Sequence, residues 1–173
     1  MNEKITVDEV NDLDREGFVE IFGQVYEHSP WVAEEAYHDR PFDGLDALHH
    51  AMVRTVNAAS EARKMALIRA HPDLAGKAAV SGELTRESTR EQSSAGLDRL
   101  TPEEYREFRR LNGAYRRKFD FPLIFAVREH TKQTILAGAE ERLRHSCREE
   151  VETALAEIFK IARLRLVDLI ERG

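Results

Sequence analysis

The stretch SCREEVETALAEIFKIARLRLVDLIER, Ser146–Arg172, indicates what kind of fold the chain adopts. Ser146 and Glu149 have the spacing of a capping box, which starts a helix by satisfying two otherwise unpaired backbone N–H groups. Apolar side chains then recur every three or four residues, the period of an amphipathic helix. Their broad face consists of Val151, Leu155, Ile158, Ala162, Leu166 and Leu169, with Ile161 at one margin. The stretch therefore predicts a long helix packed on a core.

Two arginines of this stretch fall at different places around the helix. At about 100° per residue, Arg165 lies inside the apolar arc, whereas Arg163 lies just beyond its edge. Because an unpaired buried charge is very costly, Arg165 must either extend its stem to water or pair with an anion. Reaching water is the ordinary outcome for a single arginine. A planar charged fork inside a bundle would also suit a carboxylate or ureide ligand.

The same helical period continues through the rest of the 173 residues. Ser29 and Ser60 are expected N-caps, and Thr101 and Glu104 have the spacing of a second capping box. Most of the five prolines and nine glycines fall between helical segments, and only DFPLIFAV, Asp120–Val127, is predicted to be extended. We predict an all-α chain, a single domain over residues 1–173 folded as a bundle of roughly eight helices.

Composition and charge argue against several classes of protein. Thirty-two acidic and 26 basic residues give a formal net charge of −6, spread along the chain, so nucleic-acid binding is not expected. No apolar run approaches the ~20 residues needed to span a bilayer, and the N-terminus lacks a signal-peptide pattern. Cys147 is the single cysteine, so we expect no internal disulfide and a plain buried thiol. We predict a cytoplasmic protein that binds neither nucleic acid nor membranes.

Common metal-binding and catalytic motifs are missing from the sequence. The seven histidines form no HExxH motif and no pair at i, i+4, so a zinc site lacks ligands and we predict no metal. Neither a G-x-S-x-G elbow nor a glycine-rich phosphate loop occurs, which removes esterase, kinase and dinucleotide-binding interpretations.

The segment IRAHPDLAGKAA, Ile68–Ala79, places a histidine at a forced helix end. Pro72 cannot donate a backbone hydrogen bond and disfavours helix at the residue before it. His71 therefore sits where a helix must stop. It could merely end that helix, or it could act as an acid or base from a fixed backbone position.

A second segment, TRESTREQSSAGL at Thr85–Leu97, has polar residues on the helix face that is best placed to be buried. A stripe through Leu84 and Ala95 also includes Ser88, Glu91 and Gln92, so a hydroxyl, a carboxylate and an amide share one face. A solvated helix or connector is the ordinary explanation. The alternative is a polar wall inside a pocket.

Four segments together resemble a known family across nearly the whole chain. They are HPDLAGKAA at His71–Ala79, S-x-x-E-Q-x-x-A-G-L at Ser88–Leu97, F-x-x-L-N-x-x-Y-x-x-K-F-x-F-P at Phe108–Pro122 and ETALAEIFKIARLRL at Glu152–Leu166. In this order and spacing they resemble the 2-oxo-4-hydroxy-4-carboxy-5-ureidoimidazoline (OHCU) decarboxylases. Asp120 departs from the glycine, and Leu123 from the phenylalanine, that are usual in this family.

The resemblance implies a cofactor-free lyase of uric acid degradation, all-helical and usually homodimeric, that converts OHCU into (S)-allantoin and carbon dioxide. Matched position by position, the family's catalytic histidine, glutamate and arginine fall on His71, Glu91 and Arg165. Its substrate contacts fall on Pro72, Ser88, Gln92, Leu123, Ile124, Phe125, Ala126 and Val127.

The chemistry of such a substrate indicates what each residue would do. A protein must hold the ring, stabilise an enol-like intermediate and protonate one face of the carbon that bears the ureido group. Histidine, with an unperturbed pKa of ~6.5, suits the general acid. Glu91 would orient the imidazolium or accept from the 4-hydroxyl. Gln92 would bind the ureido or ring amides, and Arg165 the carbonyl or carboxylate oxygens.

Two other functions are compatible with the residues. One is a helical interaction module that uses its polar grooves to bind a partner. The other is a lyase or hydrolase that acts on another ureide. Because spontaneous decay of OHCU also forms racemic allantoin, product stereochemistry discriminates between these functions.

Overall fold

The computed structural model describes residues 3–76 and 82–171. Over these residues the chain contains nine α-helices, two short 3-10 helices and no β-strand, which confirms the all-α prediction. The α-helices are α1 Val7–Asp12, α2 Arg15–Phe22, α3 Trp31–Ala36, α4 Leu45–Asn57, α5 Glu61–Arg69, α6 Arg86–Ser94, α7 Pro102–Phe119, α8 Lys132–Arg142 and α9 Cys147–Leu169. The 3-10 helices are Tyr37–Asp39 and Val127–Glu129. None of the helices in these ranges is long and apolar enough to cross a bilayer.

Side-chain caps begin the long helices as the sequence predicts. Ser60 accepts a hydrogen bond from a backbone N–H in the first turn of α5. Thr101 and Glu104 form a reciprocal capping box at α7, and Ser146 and Glu149 form another at α9. Each box satisfies two N–H groups that the helix itself leaves unpaired, so these starting points are set by residues three positions apart.

Two local predictions are wrong. Ser29 does not cap α3, because Pro30 is the N-cap residue and the Ser29 hydroxyl donates to the carbonyl of Glu27 at 2.9 Å. Cys147 is exposed rather than buried, because it is the first residue of α9 and precedes the apolar face of that helix, which begins at Val151.

The described chain divides into two compact units, of which the first comprises residues 3–70 and 159–171. It contains α1 to α5 and the C-terminal part of α9. α3 packs against both α2 and α4. The largest fully buried side chains here are Phe18, Phe22, Tyr26, Leu48, Met52, Leu67 and Ile68. Large apolar side chains from consecutive helices therefore supply the core of this unit.

The second unit is His71–Ile158 and contains α6, α7, α8 and the N-terminal part of α9. Here α7 packs against α8, and α6 packs against the 3-10 helix Val127–Glu129. Between α7 and that 3-10 helix, residues 121–126 form no helix, as the extended interpretation of Asp120–Val127 predicted, whereas Asp120 caps α7 and Val127 begins the 3-10 helix. Residues 121–126 are also buried, which the sequence analysis did not predict. The main buried side chains are Phe108, Leu111, Tyr115, Phe119, Phe121, Leu123 and Ile135.

Asp120 ends α7 in the left-handed region, with φ 62° and ψ 30°. This conformation is strained for a residue with a Cβ atom and natural for glycine, which commonly ends helices in this way. The geometry explains why glycine suits the equivalent position of the family motif.

Paired substitutions at Asp120 would measure this strain. Both Asp120→Gly and Asp120→Ala delete the side chain, so their difference isolates the added Cβ. The left-handed conformation costs roughly 1–2 kcal/mol with a Cβ, and the greater unfolded-state entropy of glycine offsets part of this. We expect the alanine variant to have a free energy of unfolding about 0.5–1 kcal/mol below that of the glycine variant by urea denaturation. Equal values would show that this end of α7 relaxes.

Candidate active site

His71 begins the second unit at the helix end that the sequence predicts. α5 stops at Arg69, Ala70 is its C-cap, and Pro72 follows His71 directly. His71 is only 6% exposed. A histidine in this position is set by a short, fixed stretch of backbone rather than by a mobile surface loop.

Gln92 of α6 holds the backbone that follows Pro72. Its Oε1 accepts from the N–H of Ala75 at 3.0 Å, and its Nε2 donates to the carbonyl of Asp73 at 3.4 Å. Ala75 has a φ of 52°, a left-handed conformation that is strained for alanine and persists only where the surroundings impose it. The buried amide of Gln92 therefore stabilises an unusual turn next to His71.

α7 holds the same turn through two further side chains. Asn112 donates from Nδ2 to the carbonyl of Leu74 at 2.7 Å, and Arg116 donates from Nε to Asp73 at 3.0 Å. A cavity of about 460 Å³ lies between this turn and α7, lined on the helix side by Tyr105, Arg109, Asn112, Gly113 and Arg116.

The polar stripe on α6 is largely buried. Ser88 and Gln92 are both buried, while Glu91 is partly exposed. Thr85 caps the helix by accepting from the N–H of Ser88 at 3.2 Å. A solvated connector is therefore the wrong interpretation for Ser88 and Gln92, and a polar wall describes this face better.

The segment Leu123–Val127 is buried throughout, and two charged side chains bond its backbone. The carbonyl of Ile124 accepts from Nη1 of Arg142 at 2.5 Å. The N–H of Ala126 donates to Oε1 of Glu157 at 3.3 Å. This irregular segment thus obtains from side chains the hydrogen bonds that a helix would supply from its own backbone.

A buried polar network surrounds Arg142. Glu150 is 0% exposed and accepts at Oε1 from Arg142 Nε at 2.7 Å and from the Tyr115 hydroxyl at 2.6 Å. Its Oε2 lies 2.8 Å from Nδ1 of His145. Burial first, and then the hydrogen bond to Glu150, raises the pKa of Tyr115 above its ordinary range, so this hydroxyl stays protonated and donates.

Sequence reasoning missed Arg142, Glu150 and Glu157. One signal was available, because Glu150 and Glu157 are seven residues apart and share a helical stripe with Ala154 and Ile161, both buried. Carboxylates that continue an apolar stripe indicate buried ionic partners.

Arg165 lies in the first unit and is 5% exposed. Its Nη2 donates to Oε2 of Glu27 at 2.8 Å, and its Nη1 donates to the carbonyl of Gln24 at 3.1 Å. Pairing with an anion is therefore the correct alternative for Arg165, and extension to water is not. The sequence did not indicate Glu27, which is itself buried.

Arg163 behaves differently, as its place outside the apolar arc predicts. Its side chain is 41% exposed and donates from Nη2 to Asp46 at 3.1 Å. The helical period thus separated a buried arginine from an exposed one only two residues away.

In the second unit the structure brings together the elements that carry most of the predicted site residues. Gln92 joins α6 to the turn after His71 and Pro72. α6, which also carries Ser88 and Glu91, packs on the 3-10 helix Val127–Glu129, which directly follows residues 123–126. Lys77–Ala79 of the HPDLAGKAA motif lie outside the described residues. Across residues 3–76 and 82–171, no group of three or more His, Cys, Asp or Glu side chains could hold a metal ion.

Comparisons with known proteins agree with the motifs. The OHCU decarboxylase family model matches residues 11–167. The OHCU decarboxylase of Halalkalicoccus jeotgali is 46% identical over 166 residues, which cover 96% of this chain and 92% of the relative. That of Haloferax volcanii is 46% identical over 165 residues, covering 95% and 96%. The mouse protein of the same name is 38% identical over 161 residues, covering 93% and 90%.

Solved structures have the same fold. A crystal structure of an (S)-allantoin synthase has a TM-score of 0.78 at 33% identity and covers 96% of this chain, which spans 54% of that protein. A crystal structure of an OHCU decarboxylase in the presence of (S)-allantoin has a TM-score of 0.70 and covers 91% of this chain and 98% of the other. At 21% identity, the second likeness concerns the fold alone. With the family match and the relatives over nearly the full length, this chain belongs to the OHCU decarboxylase family.

Proposed function

We propose that the protein is a carboxy-lyase that converts OHCU into (S)-allantoin and carbon dioxide in uric acid degradation. The main support is the 46% identity with proteins named OHCU decarboxylase over at least 95% of the chain. The proposed chemistry depends on His71, which is buried at a forced helix end beside a turn that Gln92 holds.

The bonds that change in the substrate determine what the protein must supply. The bond between ring carbon 4 and its carboxylate breaks, and the electron pair moves toward the neighbouring C=N bond. Carbon dioxide leaves, and an enol-like intermediate remains. The general acid then adds a proton to carbon 5, which bears the ureido group. The 4-hydroxyl loses its proton and becomes the ring carbonyl, and the ring nitrogen that received the electron pair gains a proton, which gives allantoin. Because the substrate's own C=N bond accepts the electrons, the protein needs only to orient the ring, stabilise the intermediate and deliver the proton to one face.

We assign the general acid to His71, because an imidazole exchanges a proton readily near neutral pH. Glu91 would orient the imidazolium or accept a hydrogen bond from the 4-hydroxyl. Arg165 would bind carboxylate or carbonyl oxygens, and its ion pair with Glu27 supports this role by fixing the direction of the guanidinium.

Substrate contacts would come from the buried polar face of α6 and from an extended backbone. We assign them to Pro72, Ser88, Gln92, Leu123, Ile124, Phe125, Ala126 and Val127. The buried state of Ser88, Gln92 and the whole segment Leu123–Val127 supports this assignment, since buried amide, hydroxyl and peptide groups can orient a ureide by hydrogen bonds.

We further propose that the reaction uses no cofactor and that the protein is a cytoplasmic homodimer. The electron sink within the substrate supports the first point. The family resemblance supports the second, and light scattering of the purified protein would measure its oligomeric state.

The decisive experiment follows the stereochemistry of the product. OHCU is generated freshly by urate oxidation and hydrolysis, and circular dichroism then records the allantoin formed with and without the protein. We expect (S)-allantoin at a rate above spontaneous decay. Racemic product at the spontaneous rate would contradict the proposal and favour a helical interaction module. A panel of other ureides would test the remaining alternative, a lyase or hydrolase with a different substrate.

A further inference from the structure

We propose that Arg142 and Glu157 are positioning residues that fix the orientation of the Phe125 peptide groups for substrate binding. The inference rests on the function proposed above, which places substrate contacts on the backbone of Leu123–Val127. Neither side chain is assigned to the substrate itself. Both act on it through the backbone that they hold.

Arg142 holds the carbonyl of Ile124 from one side. The bond from Nη1 is 2.5 Å long, and the other edge of the guanidinium is fixed by Glu150, which accepts from Nε at 2.7 Å. Because the guanidinium is planar and rigid, fixing it at one edge also fixes the direction of the N–H that points at Ile124. The whole arrangement is buried, so water does not compete for these bonds.

Glu157 holds the N–H of Ala126 from α9. Its Oε1 accepts that N–H at 3.3 Å, in a buried environment. The same oxygen lies 3.9 Å from Nε2 of His130, which follows the 3-10 helix. Oε1 of Glu157 therefore lies close both to Ala126, just before the 3-10 helix Val127–Glu129, and to His130, just after it.

These two bonds fix the peptide planes on both sides of one Cα atom. The carbonyl of Ile124 belongs to the plane before the Phe125 Cα, and the N–H of Ala126 belongs to the plane after it. When both planes are held, φ and ψ of Phe125 are determined. The direction of its own N–H and C=O follows from the clamp formed by Arg142 and Glu157.

Packing around the Phe125 ring holds the same residue. The guanidinium of Arg142 lies 4.7 Å from the ring centroid, and the His130 ring packs edge-on at 5.2 Å. Gly138 of α8 approaches so closely that a Cβ there would lie 3.0 Å from the ring. A phenyl ring enclosed by a cation, an imidazole and a glycine has little freedom to turn.

Stability alone does not explain this use of buried charge. Burying a guanidinium and carboxylates has a large desolvation cost, and apolar side chains of similar volume often give equal or greater stability. Arg142 and Glu157 each bond one backbone atom of the irregular segment Leu123–Val127. These bonds fix the direction of the peptide dipoles, which apolar side chains could not do. Protonation of a single face of the substrate requires such a direction.

Two substitutions of Glu157 test the clamp. Glu157→Gln keeps an oxygen acceptor of the same shape, whereas Glu157→Met fills a similar volume without one. We expect the methionine variant to lose enantiomeric excess in the allantoin formed and to lose up to about 100-fold in kcat/KM, the scale of a 1 Å misplacement. The glutamine variant should stay close to the parent. Enantiomeric excess is extrapolated to high enzyme concentration, which removes the racemic product of spontaneous decay.

Arg142→Lys tests the other half of the clamp. A lysine keeps the charge near Glu150, but a single ammonium lacks the fork that bonds the carboxylate and the Ile124 carbonyl together. We expect a lower enantiomeric excess here as well. Tyr115→Phe is the matched control, because it deletes a hydroxyl that bonds Glu150 and Arg142 but no atom of Leu123–Val127. It should lower Tm and leave the enantiomeric excess unchanged.

Two outcomes would overturn the proposal. One is a methionine or lysine variant with lower Tm but parental enantiomeric excess, which would make Arg142 and Glu157 structural only. The other is unchanged hydrogen exchange of the Ala126 N–H in Glu157→Met, since loss of its acceptor should speed exchange relative to Glu157→Gln. Exchange is measured without substrate. Racemic allantoin from the parent protein would therefore refute the proposed function, whereas the hydrogen exchange of the Ala126 N–H would still test the clamp.

Discussion

Replacing His71 with asparagine is expected to remove enantioselective formation of (S)-allantoin and leave the helical content unchanged. Asparagine is polar and similar in reach, but it cannot deliver a proton to the ureido-bearing carbon. General acid catalysis contributes about 10²- to 10⁴-fold, so a loss of this size in kcat would let spontaneous decay dominate and make the product racemic. Rates with fresh OHCU, circular dichroism of the allantoin and far-ultraviolet circular dichroism of the protein measure these effects.

His50→Asn is the matched control for this substitution. His50 lies on an exposed position of α4, so the same chemical change there should leave both rate and stereochemistry at parental values. A His71→Asn variant that still produced (S)-allantoin at the parental rate would remove His71 from the role of general acid.

The fold could be predicted where its causes are local. A capping box acts over three residues, and the apolar period of a helix acts over one or two turns, so α7 and α9 begin where Thr101 and Ser146 indicate. The prediction failed at Ser29, where the hydroxyl donates to the carbonyl of Glu27 in an irregular stretch between α2 and α3. Serine bonds equally well to nearby backbone outside a cap, and no pattern in the sequence decided between the two.

The candidate site could be predicted only in part, because its ionic partners are distant in the chain. The helical period placed Arg165 inside an apolar arc, but its partner Glu27 is 138 residues away. Glu150 and Glu157 continue an apolar stripe of α9, but the stripe does not identify their partners, Arg142 and the backbone of residues 123–127, which belong to other elements. Periodicity reports which face of a helix is buried, and it does not report what that face meets.

The buried ion pair allows the structural role of Arg165 to be separated from its proposed role in binding. Arg165→Met leaves the carboxylate of Glu27 buried without its guanidinium, and breaking a buried pair in this way typically costs about 3–5 kcal/mol. We expect a loss of that size in the free energy of unfolding, together with loss of activity. Adding Glu27→Gln removes the buried charge that has lost its guanidinium partner, so the double variant should recover most of the stability.

Activity is expected to stay low in that double variant, because a methionine cannot bind the substrate oxygens that we assign to Arg165. Urea denaturation and the enantioselective assay, run on the same preparations, separate the two effects.

Arg163→Met is the matched control, since its exposed pair with Asp46 should contribute about 0–1 kcal/mol to stability and nothing to catalysis. If the double variant regained parental activity along with its stability, Arg165 would serve only to stabilise the first unit. If Arg163→Met lost as much activity as Arg165→Met, the distinction that the helical period draws between the two arginines would be wrong.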